Sequence, residues 1–98
     1  MKRFKLFLKF LRVHVPIKRK VIVRCVQMKD DGSTTLSDSG TIIVCINKDK
    51  PTTEQIDILI HEWGHVIEYD KLGIHGKQWG IGMSKAYEAW EAFQQTEL

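Results

Sequence analysis

Between Lys50 and Gly73 the apolar residues stop alternating and recur at helical spacing, and this change of period constrains the fold most. Ile56, Leu59, Ile60, Trp63 and Ile67 stand at i, i+3, i+4, i+7 and i+11, one continuous stripe. Pro51-Thr52 supplies a helix start, and Thr52 with Gln55 matches a capping box. The helix is expected to end near Leu72-Gly73, with Gly73 as its C-cap.

Upstream the pattern is that of strands. Val21 to Met28 (VIVRCVQM) and Thr41 to Asn47 (TIIVCIN) are β-branched runs. Between them lie a KDDGS turn signal, with Gly32 free to take positive φ, and a polar loop ending in Gly40. The expectation is antiparallel pairing of the two runs, with a short extra segment near Leu36. In the first residues, Phe4, Phe7, Leu8 and Leu11 share one side of a helix and Lys2, Lys5, Lys9 and Arg12 another, a reading favoured over a strand in which Phe4, Leu6, Leu8 and Phe10 alternate with a partly basic face. Downstream, Trp79, Met83, Ala86, Tyr87, Trp90 and Phe93 form a second helical stripe. The outline is an α+β domain: N-terminal helix, short antiparallel β-sheet, then two helices.

The 98 residues suit one small domain, and no linker or repeat divides residues 1–98. Charge is unevenly placed. Ten basic residues (Lys2, Arg3, Lys5, Lys9, Arg12, Lys18, Arg19, Lys20, Arg24, Lys29) precede the first acidic one, Asp30. Residues 1–29 thus form a basic N-terminal region suited to nucleic acid, anionic lipid or an acidic partner, or simply a solvated face. Cys25 and Cys45 are too few and too far apart for a zinc ribbon or redox pair, and read as small buried thiols. A disulfide between them would require neighbouring strands. Lys5 and Lys9 interrupt the opening apolar stretch, no small-residue cleavage site follows, and no run spans a bilayer. The expected location is cytoplasmic, with no membrane span.

Chemistry is concentrated in His61-Glu62-Trp63-Gly64-His65, an HExxH pattern in the middle of the capped helix. Four-residue spacing puts both imidazoles on one face, about 40° apart. That face points roughly opposite the Ile56/Leu59/Ile60/Trp63 stripe. A catalytic zinc takes three protein ligands and a water. The metzincin spacing would place the third ligand at Lys71, which excludes that class. The remaining candidates are His75, Glu68, Asp70, Glu88 and Glu91. Glu68 and Asp70 share the helix with the pair, Glu88 and Glu91 read as solvent-facing charges, and His75 sits in a Gly-flanked turn.

The segment HEWGHVIEYDKLGIHGKQWG resembles the active-site segment of SprT-like zinc metallopeptidases, which include small phage-encoded forms. The matching residues are His61, Glu62 and His65, then His75, Gly76 and Trp79. The resemblance spans roughly residues 41–90 and is specific at those six positions. It implies a small zincin-like domain in which His61, His65 and His75 are the metal ligands. Residues 1–98 lack the four-cysteine ribbon of larger members, so the resemblance does not carry over a DNA-linked role that rests on such a module.

These residues set the expectation of a metallopeptidase, a hydrolase in which zinc activates water and Glu62 is the catalytic general base, acting on a protein or peptide substrate. Tyr69, Tyr87 and His14 are candidate oxyanion donors; Tyr87 also reads as core and His14 as structural. Trp63 belongs to the core stripe, Gly64 is suited to close packing, and the TIIVCIN strand could offer an edge to an extended peptide. The alternative is a non-catalytic, zinc-stabilised binding module, associated with nucleic acid through its basic N-terminal region.

Overall fold

A computed structural model describes residues 2–72 and 79–97, without the side chains of residues 72 and 79–81. The elements run α1 (Lys2–His14), β1 (Val21–Val26), β2 (Gly32–Leu36), β3 (Ile42–Asn47), α2 (Thr52–Leu72) and α3 (Trp79–Thr96). The α+β architecture matches expectation. So does the N-terminal helix, which buries Phe4, Phe7 and Leu11.

The sheet differs from the expected antiparallel one. Its order is β1-β3-β2, so the two β-branched runs are neighbours but lie parallel, with Val21 opposite Ile42 and Val26 opposite Asn47. The antiparallel partner of β3 is β2, the segment ending at Leu36. A full strand at GSTTL reverses the chain between the runs, so β3 returns along the direction of β1. The reversal from β2 to β3 falls at Gly40, with φ 86°, rather than at Gly32. Gly32 serves another end: a Cβ there would lie 2.6 Å from Ile58 Cγ2 and 3.1 Å from the Cys45 carbonyl oxygen. Its missing side chain lets β2 lie against α2.

Alternation sends Ile42, Val44 and Ile46 into the core, where all three are fully buried. On α2, Ile56, Leu59, Ile60, Trp63 and Ile67 are buried as their spacing requires. α2 packs against β2 and β3 and, most extensively, against α3. The helices meet where Gly82 faces Gly64: a Cβ on Gly82 would lie 2.8 Å from the Gly64 carbonyl oxygen and 3.2 Å from its Cα. Close packing at Gly64 thus matches expectation. From α3, Ala86, Ala89 and Phe93 enter the core. Tyr87 does not; it is exposed, one position off the stripe. Aromatic rings close the α1–α3 junction, with Phe7 5.0 Å from Trp90 and 5.4 Å from Phe93.

Gln55 departs from the capping-box role. Its side-chain amide donates to the carbonyls of Asn47 and Lys48, tying the start of α2 to the end of β3. α2 ends at Leu72, and the expected cap, Gly73, lies outside the described residues. Cys25 and Cys45 are free and half-buried. Their strands are adjacent, but Cys45 stands opposite Arg24, so alternation turns the two thiols to opposite faces. No described helix is long and apolar enough to cross a membrane.

Candidate functional site

The His61–His65 helix face is less open than periodicity suggests, because α2 is covered by the sheet on one side and α3 on another. His61 is exposed and His65 half-buried, while Glu62 retains only 7 % exposure and Glu68 none. The two imidazoles lie 5.4 Å apart, ring to ring, at an interplanar angle of 70°. Their i, i+4 spacing does bring them together.

His65 and Glu62 are each oriented by one neighbour. His65 Nδ1 is 2.9 Å from Glu68 Oε1, one turn along the helix. Burial of Glu68 makes this pairing a fixed orientation for the ring, not a surface contact. The sequence offers Glu68 only as a candidate metal ligand; its i, i+3 spacing instead makes it the partner of the His65 imidazole. Glu62 is held from across the sheet: Thr34 Oγ1 donates to Glu62 Oε1 at 2.7 Å and reaches its main-chain carbonyl at 3.3 Å. Nothing local in GSTTL marks Thr34 for this role. It follows from the register, which places Thr34 opposite buried Val44 and therefore on the α2 side of the sheet.

The other proposed ligands are placed elsewhere. Both Asp70 carboxylate oxygens accept main-chain N–H bonds, from Lys18 at 3.2 Å and Arg19 at 2.9 Å, so Asp70 anchors the loop after α1. Glu88 and Glu91 are exposed on α3. His75 and Gly76 lie outside the described residues. Among the candidate oxyanion donors, Tyr69 is half-buried against the core, Tyr87 is exposed, and His14 stacks on Phe10 at 3.8 Å.

A zinc centre requires three or four protein ligands. Among the described residues, no group of three or more His, Cys, Asp or Glu could hold a metal ion. His61 and His65 come together on one helix face, but no described residue completes them as a metal-holding group. This finding overturns the zinc-dependent peptidase with Glu62 as general base, and equally the zinc-stabilised binding module, as accounts of the described structure. Comparison with protein families, curated proteins and solved structures returns no match. Of the six positions that carry the SprT-like resemblance, only His61, Glu62 and His65 have described side chains.

What remains beside His61 and Glu62 is a groove of about 350 Å³ lined by Asp31, Gly32, Asp57, Ile58, His61 and Glu62. Its upper wall is the start of β2, an outer strand of the sheet. Asn47 N donates to Asp31 O and Ser37 N to Thr41 O, both at 2.8 Å. Antiparallel alternation then gives Ser33 and Thr35 to the β3 ladder. The N–H and C=O groups of Gly32, Thr34 and Leu36 point away from the sheet.

Proposed function

We propose that the chain binds an extended peptide segment by strand addition to the outer edge of β2. The observation that carries this reading is the outward N–H and C=O groups of Gly32, Thr34 and Leu36 beside the His61/Glu62 groove. Backbone pairing along β2 supplies affinity, and alternate peptide side chains fall on the groove side. Asp31 is already paired with Lys50 at 3.3 Å, so it is the exposed Asp57 at the groove that favours a basic side chain on the bound segment.

Proline at Thr34 removes an N–H that the β3 ladder does not use, and outer strands tolerate such a substitution. Valine at the same position removes the hydroxyl and keeps the N–H. With a fluorescent extended basic peptide, Thr34→Val is expected to bind within a few-fold of wild type, and Thr34→Pro to lose binding by at least about tenfold. Equal affinity in the two variants would overturn strand addition.

A further inference from the structure

Beneath the loop that joins α1 to β1 lies a small cavity of about 80 Å³, lined by Arg12, Ile17, Arg19, Val21 and Trp63. It lies apart from the His61/Glu62 groove, and Trp63 is the only one of these residues within the HExxH segment. Trp63 is fully buried, yet among the described residues its indole N–H has no acceptor, and neither has the buried Nε of Arg19. A buried indole N–H ordinarily finds a partner, and a buried donor left unmet is destabilising. Two unmet donors in one small cavity point to a shared acceptor.

The cavity's polar side chains are all donors. Arg12 and Arg19 each bring a guanidinium and Trp63 an N–H, and no carboxylate, hydroxyl or amide oxygen joins them. The Arg12 guanidinium stands over the Trp63 ring at 6.0 Å and donates one N–H to the Val21 carbonyl at 3.1 Å. Arg19 is held in place through its main-chain N–H to Asp70, and its Nη1 reaches to within 3.1 Å of where a Gly40 Cβ would stand. Arg12, on an exposed position, is thus fixed by one bond beside the Trp63 ring, and Arg19 brings a buried Nε to the same lining. A water there would accept two bonds but find one carbonyl for its own protons. An anion accepts from every donor and offsets the repulsion between the two guanidinium groups.

We propose that Arg12, Arg19 and Trp63 form a binding site for one small inorganic anion of chloride size. The volume admits a monatomic anion and excludes an organic carboxylate such as gluconate. Occupancy would lock the loop of residues 15–20 onto α1 and α2, making folding stability depend on the anion by mass action.

The test is thermal unfolding in sodium chloride against sodium gluconate at equal ionic strength, which separates binding from screening. For the wild type, each tenfold rise in chloride above its dissociation constant is expected to lower the unfolding constant about tenfold, with no such trend in gluconate. Arg19→Met, which keeps the stem and removes the charge, is expected to abolish the difference between the salts. Trp63→Phe should weaken it; should that variant not fold, Arg19→Met alone decides. A crystal soaked in bromide should show anomalous scattering between Arg19 Nε and Trp63 Nε1. Identical wild-type curves in the two salts, or a chloride effect retained in Arg19→Met, would overturn the proposal, as would a cavity holding only water in the bromide-soaked crystal.

Discussion

Glu62 and Glu68 stand six residues apart on α2, both buried, and each is reconciled with burial by one specific neighbour. For Glu62 that neighbour is Thr34, whose hydroxyl donates to the Glu62 carboxylate from β2. Thr34→Val keeps shape and burial while withdrawing a donor from a buried carboxylate, and is expected to destabilise the fold by about 1–3 kcal/mol in urea unfolding. Thr34→Ser, which restores the hydroxyl, should recover most of that loss. Glu68 separates charge from shape differently. Glu68→Gln keeps an oxygen within reach of His65 Nδ1, so its cost should stay near 1 kcal/mol, whereas Glu68→Ala opens a cavity and strips the imidazole of that partner, for about 3 kcal/mol. Equal costs for Gln and Ala would mean that the His65–Glu68 contact contributes little to stability.

At the scale of elements, the position of α2 depends on two glycines on its neighbours, Gly32 on β2 and Gly82 on α3. Gly82→Ala sets two effects against each other. Alanine improves helix propensity by about 1 kcal/mol, but its methyl would stand 2.8 Å from a backbone oxygen that no side-chain rotation can move. Forcing the helices apart costs about 1–3 kcal/mol, so net destabilisation is expected, read as a lower melting temperature. At Gly32 the nearest obstacle is a side chain, Ile58 Cγ2, at 2.6 Å. Ile58→Leu removes that branch methyl, so Gly32→Ala should cost less in the Ile58→Leu background than in wild type, by a double-mutant cycle on urea midpoints. An unchanged cost would place the strain on the Cys45 carbonyl instead. Neither glycine takes a positive φ. Gly32 looked like a turn residue because KDDGS has turn composition, and only the approach of α2 shows why it is a strand residue.

Across the whole molecule, what was legible in the sequence is what depends on spacing within one element: α1, α2 and α3, their buried stripes, and the pairing of His61 with His65. Strand partners were not, because the choice between parallel and antiparallel pairing of VIVRCV with IIVCIN is decided by whether GSTTL forms a strand between them. A half-exposed, threonine-rich segment gives periodicity little to work with. Glu62's partner was hidden for the same reason, since Thr34 reaches it only through that register. The ends of the described chain meet through another long-range contact. Arg3 on α1 pairs with Glu97 beyond α3 through two bonds of 2.8 and 3.0 Å and stands over the Trp90 ring at 4.9 Å. The hydrogen bonds from Arg3 hold the Glu97 carboxyl below the ordinary carboxylate range. A depressed folded-state value means that the clamp contributes fully above the unfolded carboxylate pKa and is lost as pH falls through the folded one. Both groups are solvent-exposed, so global stability should change little; the effect belongs to the helix ends. Hydrogen exchange in the first turn of α1 and the last turn of α3 is therefore expected to quicken, beyond its intrinsic pH trend, only on acidification below the usual carboxylate pKa. In Glu97→Gln the same amides should exchange faster at neutral pH and show no such step. A step of equal size in Glu97→Gln would assign the fraying to another carboxylate and leave the α1–α3 junction resting on its aromatic packing, Phe7 and Phe10 against Trp90 and Phe93.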